Sequence, residues 1–113
     1  MAILEATTDF VGFAAPDAQI LYINRAGRTM VGIAEDEDVS KLKIPDCHPD
    51  WTNEILFSEA LPTAERKGLW RGEAAFLSRD GHEVLTSMVL LAHKTPSGDV
   101  EFFSTISRDI TER

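Results

Sequence analysis

The stretch WRGEAAFLSRDGHEVLTSMVLLAHKTPSGDVEFFSTISRD, running from Trp70 to Asp109, decides the fold. Two turn signals cut it into three apolar runs. At Ser78-Arg79-Asp80-Gly81 the Asp-Gly step supplies the positive-φ pair of a short hairpin. At Thr95-Pro96-Ser97-Gly98 proline and glycine again punctuate the chain. The runs themselves are Trp70 to Ser78, Glu83 to Lys94 and Val100 to Asp109. The last two are long and rich in Val, Leu, Phe, Thr and Ile, as strands buried on at least one side should be. Strands joined by short hairpins pair antiparallel.

Upstream, Ala15-Pro16-Asp17-Ala18 reads as a tight turn, with proline at its favoured second position. It separates two further strands, Phe10 to Ala14 and Ile20 to Asn24. Helices fill the interval before Trp70. Asn24 is a good N-cap for a short helix through Val31, and Gly32 is its natural stop. Pro49 and Asp50 open a longer helical stretch that ends at Lys67-Gly68. Pro62 lies inside that stretch, so the spacing predicts a kink or a split into two helices. The acidic run from Glu35 to Asp38 is a solvated loop or a helix start. Helices inserted at one point of an antiparallel sheet cover one of its faces, which makes the fold class α+β.

Composition agrees with one such domain. The chain has 113 residues, 43% hydrophobic and 27% charged, enough for one core and too few for two. Eleven basic residues against nineteen acidic ones give a formal charge of -8, which repels a polyanion, so no nucleic-acid partner is expected. No apolar run approaches the roughly 20 residues that span a bilayer, and the first residues lack the pattern of a signal peptide. The single Cys47 forms no internal disulfide and fits a reducing compartment. A cytoplasmic domain without direct membrane contact is expected, whatever anchors the parent protein.

Several local strings, in this order, resemble the PAS family of sensory domains. Arg108-Asp109-Ile110-Thr111-Glu112-Arg113 is similar to the family's terminal Asp-Ile-Thr signature, where the domain joins a helical signalling linker. Tyr22-Ile23-Asn24-Arg25-Ala26 resembles the second strand entering the first helix, and His48-Pro49-Asp50 the start of the long helix. Gly68-Leu69-Trp70-Arg71-Gly72-Glu73 resembles the approach to the third strand, and Ser78-Arg79-Asp80-Gly81 the hairpin after it. The resemblance covers essentially the whole chain. It implies strand order 2-1-5-4-3 with helices on one face, the end of a flanking helix over residues 1–9, the domain over 10–111 and the start of a linker at 112–113. It also implies a regulatory input domain rather than an enzyme, with a downstream effector (commonly a histidine kinase or a diguanylate cyclase) in the same parent chain. Asp109, Ile110 and Thr111 would form the signal-transfer junction, with Arg71 and Arg79 as candidate partners for the Asp109 carboxylate.

Alternation along the last two strands leaves both sheet faces apolar. By apolarity alone, the Phe102 and Ile106 side would meet the helices. Registering the chain on flavin-binding PAS relatives implies the reverse. Phe76, Thr86, Met88, Leu90, Phe103, Thr105 and Ser107 then face inward, joined by Phe57 from the long helix. These candidates line either a small-ligand pocket or a filled core. Leu85, Val89, Leu91, Phe102 and Ile106 then form an outer face too apolar to be left in water. The chain's own start, with Ile3 and Leu4, or a second subunit in a two-fold dimer would cover it.

Other chemistry finds little support in the sequence. A haem-binding relative needs a histidine on the long helix as axial ligand, and Thr52 to Lys67 contains none. The flavin photoreceptors' cysteine-bearing string does not match Pro45-Asp46-Cys47-His48-Pro49, so no covalent flavin adduct is expected. Cys47 and His48 lack the further ligands of a closed zinc site, and His82 and His93 fall on a turn and a strand. Trp51 and Trp70 are expected as core anchors.

Overall fold

The computed structural model describes residues 7–110. Strands β1 (Phe10–Ala14) and β2 (Ile20–Ile23) lead into helix α1 (Arg25–Val31). Two single 3₁₀ turns (Val39–Lys41 and Ile44–Cys47) precede α2 (Asp50–Ile55), a π-helical turn (Leu56–Ala60) and α3 (Leu61–Lys67). Strands β3 (Leu69–Leu77), β4 (Glu83–Lys94) and β5 (Val100–Asp109) complete the chain. All five strands form one antiparallel sheet in the order β2-β1-β5-β4-β3.

Asn24 ends β2 one residue earlier than the sequence suggests, because it is the N-cap of α1. Its side-chain oxygen accepts from Gly27 N at 2.9 Å and Val11 N at 3.0 Å, and its amide donates to Asp9 O at 3.0 Å. One fully buried amide therefore caps the helix and ties it to β1. At the far end Gly32 takes φ 76°, and its N–H returns to the last carbonyls of α1.

The long helical stretch is split near Pro62, as expected. Proline has no N–H to offer the Ser58 carbonyl, and the ladder locally widens. Leu61 N reaches back to Leu56 O in the π-helical turn, and Pro62 sits in the first turn of α3.

The hairpins β1–β2, β3–β4 and β4–β5 share one turn pattern. Gly81 N donates to Ser78 O, Gly98 N to Thr95 O and Ala18 N to Ala15 O, each at 2.9 Å. In each turn the third loop position carries positive φ: Gly81 at 93°, Gly98 at 93° and Ala18 at 76°. Asp80 does not share Gly81's positive φ. The β3–β4 turn is thus the longer kind ending in one left-handed residue, rather than a two-residue Asp-Gly turn.

Residues 7–9 form a bend in which Asp9 N donates to Thr7 Oγ1 at 3.1 Å, so the expected flanking helix does not extend over them. The rest of that stretch, with Ile3 and Leu4, lies outside the described residues, as does Thr111 at the other end.

Candidate functional site

The sheet presents one face to the helices. Phe10, Ala14, Trp70, Ala74, Phe76, Met88, Leu90 and Phe103 are buried there against Leu56, Ala60 and Ala64. Phe10 stacks on Phe76 with ring centroids 4.1 Å apart, and the His48 ring leans on the same Phe76 at 4.7 Å. Burying each of the two phenylalanine side chains contributes about 2–3 kcal/mol. The helices therefore cover the face of Phe76, Met88 and Phe103. Apolarity alone pointed to the other face because it ignores which side the α1 and α2 connections leave from.

The helices do not fill that face completely. A cavity of about 50 Å³ remains between β1, β5 and the helical segments, with Ile23, Ile44, Leu56, Phe76, Leu90 and Phe103 among its walls. A second depression, of about 310 Å³, opens outside it, between the β1–β2 turn and α3. Ile44, Leu61 and Phe103 line both spaces and so form the partition between them.

Met88, Leu90, Phe76, Phe103 and Thr105 from the sequence-derived list lie around the inner cavity. Three others do not. Phe57 is 44% exposed and belongs to the outer depression, because the π-helical turn rotates it away from the sheet. Thr86 and Ser107 are fully buried further along β4 and β5, outside the cavity wall. The Thr86 hydroxyl is consumed by Ala74 O at 2.7 Å, which closes that end of the sheet as packed core. Thr105 donates to Val89 O at 3.2 Å, so its hydroxyl also has a partner.

Cys47 and His48, which the sequence assigns to no site, are buried members of the cavity wall. His48 Nδ1 lies 2.7 Å from Ile44 O, so that nitrogen carries the proton. Burial lowers the imidazole pKa from 6.5 to about 4, with the Ile44 carbonyl opposing only in part. Burial also raises the Cys47 thiol to about 11, with the Asp46 charge adding to it. At neutral pH both groups are uncharged, and Cys47 is a thiol rather than a nucleophile. Among the described residues, no three His, Cys, Asp or Glu side chains gather into a set that could hold a metal ion.

The tryptophans part company. Trp70 is buried and donates to Glu59 at 3.1 Å, as a core anchor should. Trp51 is 43% exposed at the start of α2 and donates to Glu83 at 3.0 Å, so it is not a core anchor.

On the opposite sheet face Leu85, Val89, Leu91 and Phe102 are half-buried and Ile106 is 44% exposed. Rings continue across that face. Phe13 packs on Tyr22 at 5.3 Å and on Phe102 at 5.8 Å, while Phe102 stacks on His93 at 4.3 Å. His93 is held by Ser104 Oγ at 2.7 Å.

At the exit of β5, Ile110 N donates to Leu85 O at 3.0 Å, which keeps the chain against β4 to the last described residue. Arg79, a candidate partner for Asp109, is instead engaged by both carboxylate oxygens of Glu37. That pair holds the Glu37 carboxyl below its usual range and staples the β3–β4 turn to the loop after α1. The reason is geometric: Arg79 N already donates to Val31 O at 3.1 Å, which points the turn toward α1.

This strand order, with helices on one face around a small apolar cavity, defines a class of α+β domain. The chain belongs to the family described as the PAS fold, which its sequence matches over residues 4–113. Solved structures agree on the architecture. The PAS domain of a protein from Colwellia psychrerythraea superposes with a TM-score of 0.88 at 21% identity, over 99% of this chain and 94% of that one. A domain of the sensory box sensor histidine kinase/response regulator from Geobacter sulfurreducens gives 0.73 at 20% identity, over 96% and 89%. An RNA-binding Light-Oxygen-Voltage receptor gives 0.79 at 20% identity, over 99% of this chain and 32% of that one. At these identities the likeness shows the fold alone. Comparison with curated proteins gave no match. No helix among the described residues is long and apolar enough to cross a membrane.

Proposed function

We propose that this PAS domain is a sensory input module of a larger cytoplasmic signalling chain, which takes a small ligand between sheet and helices and passes the change to an effector along β5. The observation that carries this reading is the cavity, because it is walled by the strand that also leaves the domain. Phe103 and Thr105 touch it, and Asp109 ends the same strand six residues after Phe103. A ligand that binds one arrangement of this wall better than another shifts the population of that arrangement, and β5 carries the bias outward. The Geobacter relative, a sensor histidine kinase/response regulator domain, supports a kinase as the effector class.

The outer face supports a second role. A patch containing an Ile106 that is 44% exposed beside Phe102, Val89 and Leu91 suits a two-fold homodimer, which would carry motion in β5 to two effectors at once. Light scattering is expected to give twice the chain mass, and Ile106→Glu to halve it. A monomer at high concentration would remove this role.

The sensory reading is tested with the intact parent protein. Compounds that raise the domain's thermal midpoint are expected to change effector output, and Leu90→Phe, which fills the cavity, to fix output in one state. If bound compounds and the filled variant all leave output unchanged, the domain is a scaffold and not a sensor.

A further inference from the structure

The walls of the two spaces have different chemistry. The inner cavity is bounded mainly by apolar residues, and the polar ones near it carry no charge: His48 is neutral, Cys47 is protonated, and Tyr22, Ser104 and Thr105 bring hydroxyls, those of Ser104 and Thr105 partnered by His93 and the Val89 carbonyl. The outer depression carries two carboxylates, Asp17 and Glu65, beside the exposed Phe57 ring, and no Lys or Arg lines it. Ile44, Leu61 and Phe103 line both spaces. Leu61 follows directly on the π-helical turn, where the helical ladder is irregular. Ile44 N in turn hangs on Ala18 O at 2.9 Å, a carbonyl of the strained β1–β2 turn.

We infer that the two spaces are the inner and outer chambers of one site for an apolar cation: a slim hydrocarbon body in the inner chamber and an amine head in the outer one. This rests on the sensory reading above and adds the ligand's class. Size limits the body. At about 50 Å³ the inner chamber has a third of the volume, about 150 Å³, of an engineered apolar cavity that admits benzene. A single alkyl chain therefore suits it better than a ring system, and the partition must turn aside to let the chain through. Charge then selects the head. An anion there would face two carboxylates and no basic side chain in a domain of net charge -8, and pushing it inward would strip its water with no partner in return. An ammonium keeps its solvent on one side and sits in a depression whose charged side chains, Asp17 and Glu65, are both acidic and whose wall includes the Phe57 ring.

The probes are pentylamine, 1-pentanol and pentanoate, which share a chain length and differ in the head. Binding is read from amide shifts of residues 44, 61 and 103 on titration of the full chain. Pentylamine is expected to bind tightest, pentanol more weakly and pentanoate not at all. Glu65→Lys, an exposed change on α3, is expected to weaken pentylamine about two- to fivefold, leave pentanol unchanged and admit pentanoate. Leu61→Ala, which opens the partition, should tighten pentanol; Ile44→Val serves the same purpose if that variant fails to fold. If pentanol binds but pentanoate equals or exceeds pentylamine, the charge selection is wrong while the cavity reading stands. If no probe shifts those amides in the native chain or in either opened variant, there is no ligand site, and both fall.

Discussion

Replacing Ala18 by glycine should make this protein more stable, although it removes a methyl group. Three hairpins share one turn pattern, and the left-handed position is glycine in two of them and alanine in the third. An L-residue held there suffers a clash between Cβ and the following carbonyl that costs roughly 1–2 kcal/mol. Glycine escapes it but brings a more disordered unfolded chain, which offsets about 0.4–1 kcal/mol. The Ala18 methyl is half-buried against the core, and losing it offsets roughly 0.3 kcal/mol more. The balance is a gain of about 0.5 kcal/mol, or about 2 °C in the melting midpoint at this chain length. Urea unfolding followed by circular dichroism reads it as a higher midpoint at unchanged slope. Gly98→Ala is the converse control. Its φ is 93° and a Cβ there would meet nothing within 4 Å, so the loss is backbone strain less the same unfolded-state offset, about 0.8 kcal/mol. If Ala18→Gly lowers the midpoint, or Gly98→Ala leaves it unchanged, backbone strain is not what distinguishes these turns.

Other perturbations have equally definite signs. Asn24→Ala removes the cap of α1 and orphans the buried Val11 N–H, for a loss of about 3 kcal/mol by chemical denaturation; a loss below about 1 kcal/mol would mean the amide acts as an exposed cap only. His48 is neutral when folded, with a pKa of about 4, while the unfolded chain takes up a proton below about 6.5. The unfolded state thus binds more protons between those values, so stability is full above pH 6.5 and drains as pH falls toward 4, by up to about 3 kcal/mol. Denaturation midpoints of His48→Gln should be flatter than the native protein's across that window; parallel curves would refute the assignment. Cys47, buried and with its thiol raised to about 11, should resist alkylation by iodoacetamide at pH 8 until urea unfolds the chain. Rapid labelling of the native protein would show that the cavity wall opens far more readily than this packing implies.

Much of the fold is local and was therefore readable in the chain. Asn24 before a short apolar run, Gly32 after it, and Gly81 and Gly98 between strand-forming runs each fix a backbone event within a few residues, and the structure places each event there. Pro62 marked the break in the long helix for the same reason, a missing N–H, although not that the break would be a π-helical turn. The resemblance carried by the ordered strings supplied the strand order, which no local rule gives.

The site was less legible. Met88, Leu90 and Phe103 are found by counting in twos along a strand. Ile44 and Cys47 lie in a single 3₁₀ turn, with His48 just after it, too short to show a period, and tertiary packing alone brings them to the cavity. Phe57 misled because the π-helical turn adds a residue to its turn and swings the ring outward. Arg79 found Glu37 rather than Asp109, a choice made by the direction of one hairpin. The sequence by itself thus determined the strands, caps and turns, since those depend on each residue and its nearest neighbours. Which side chains share a wall, and how much space they leave, was decided only by packing, because volume is a property of residues far apart in the chain that happen to meet.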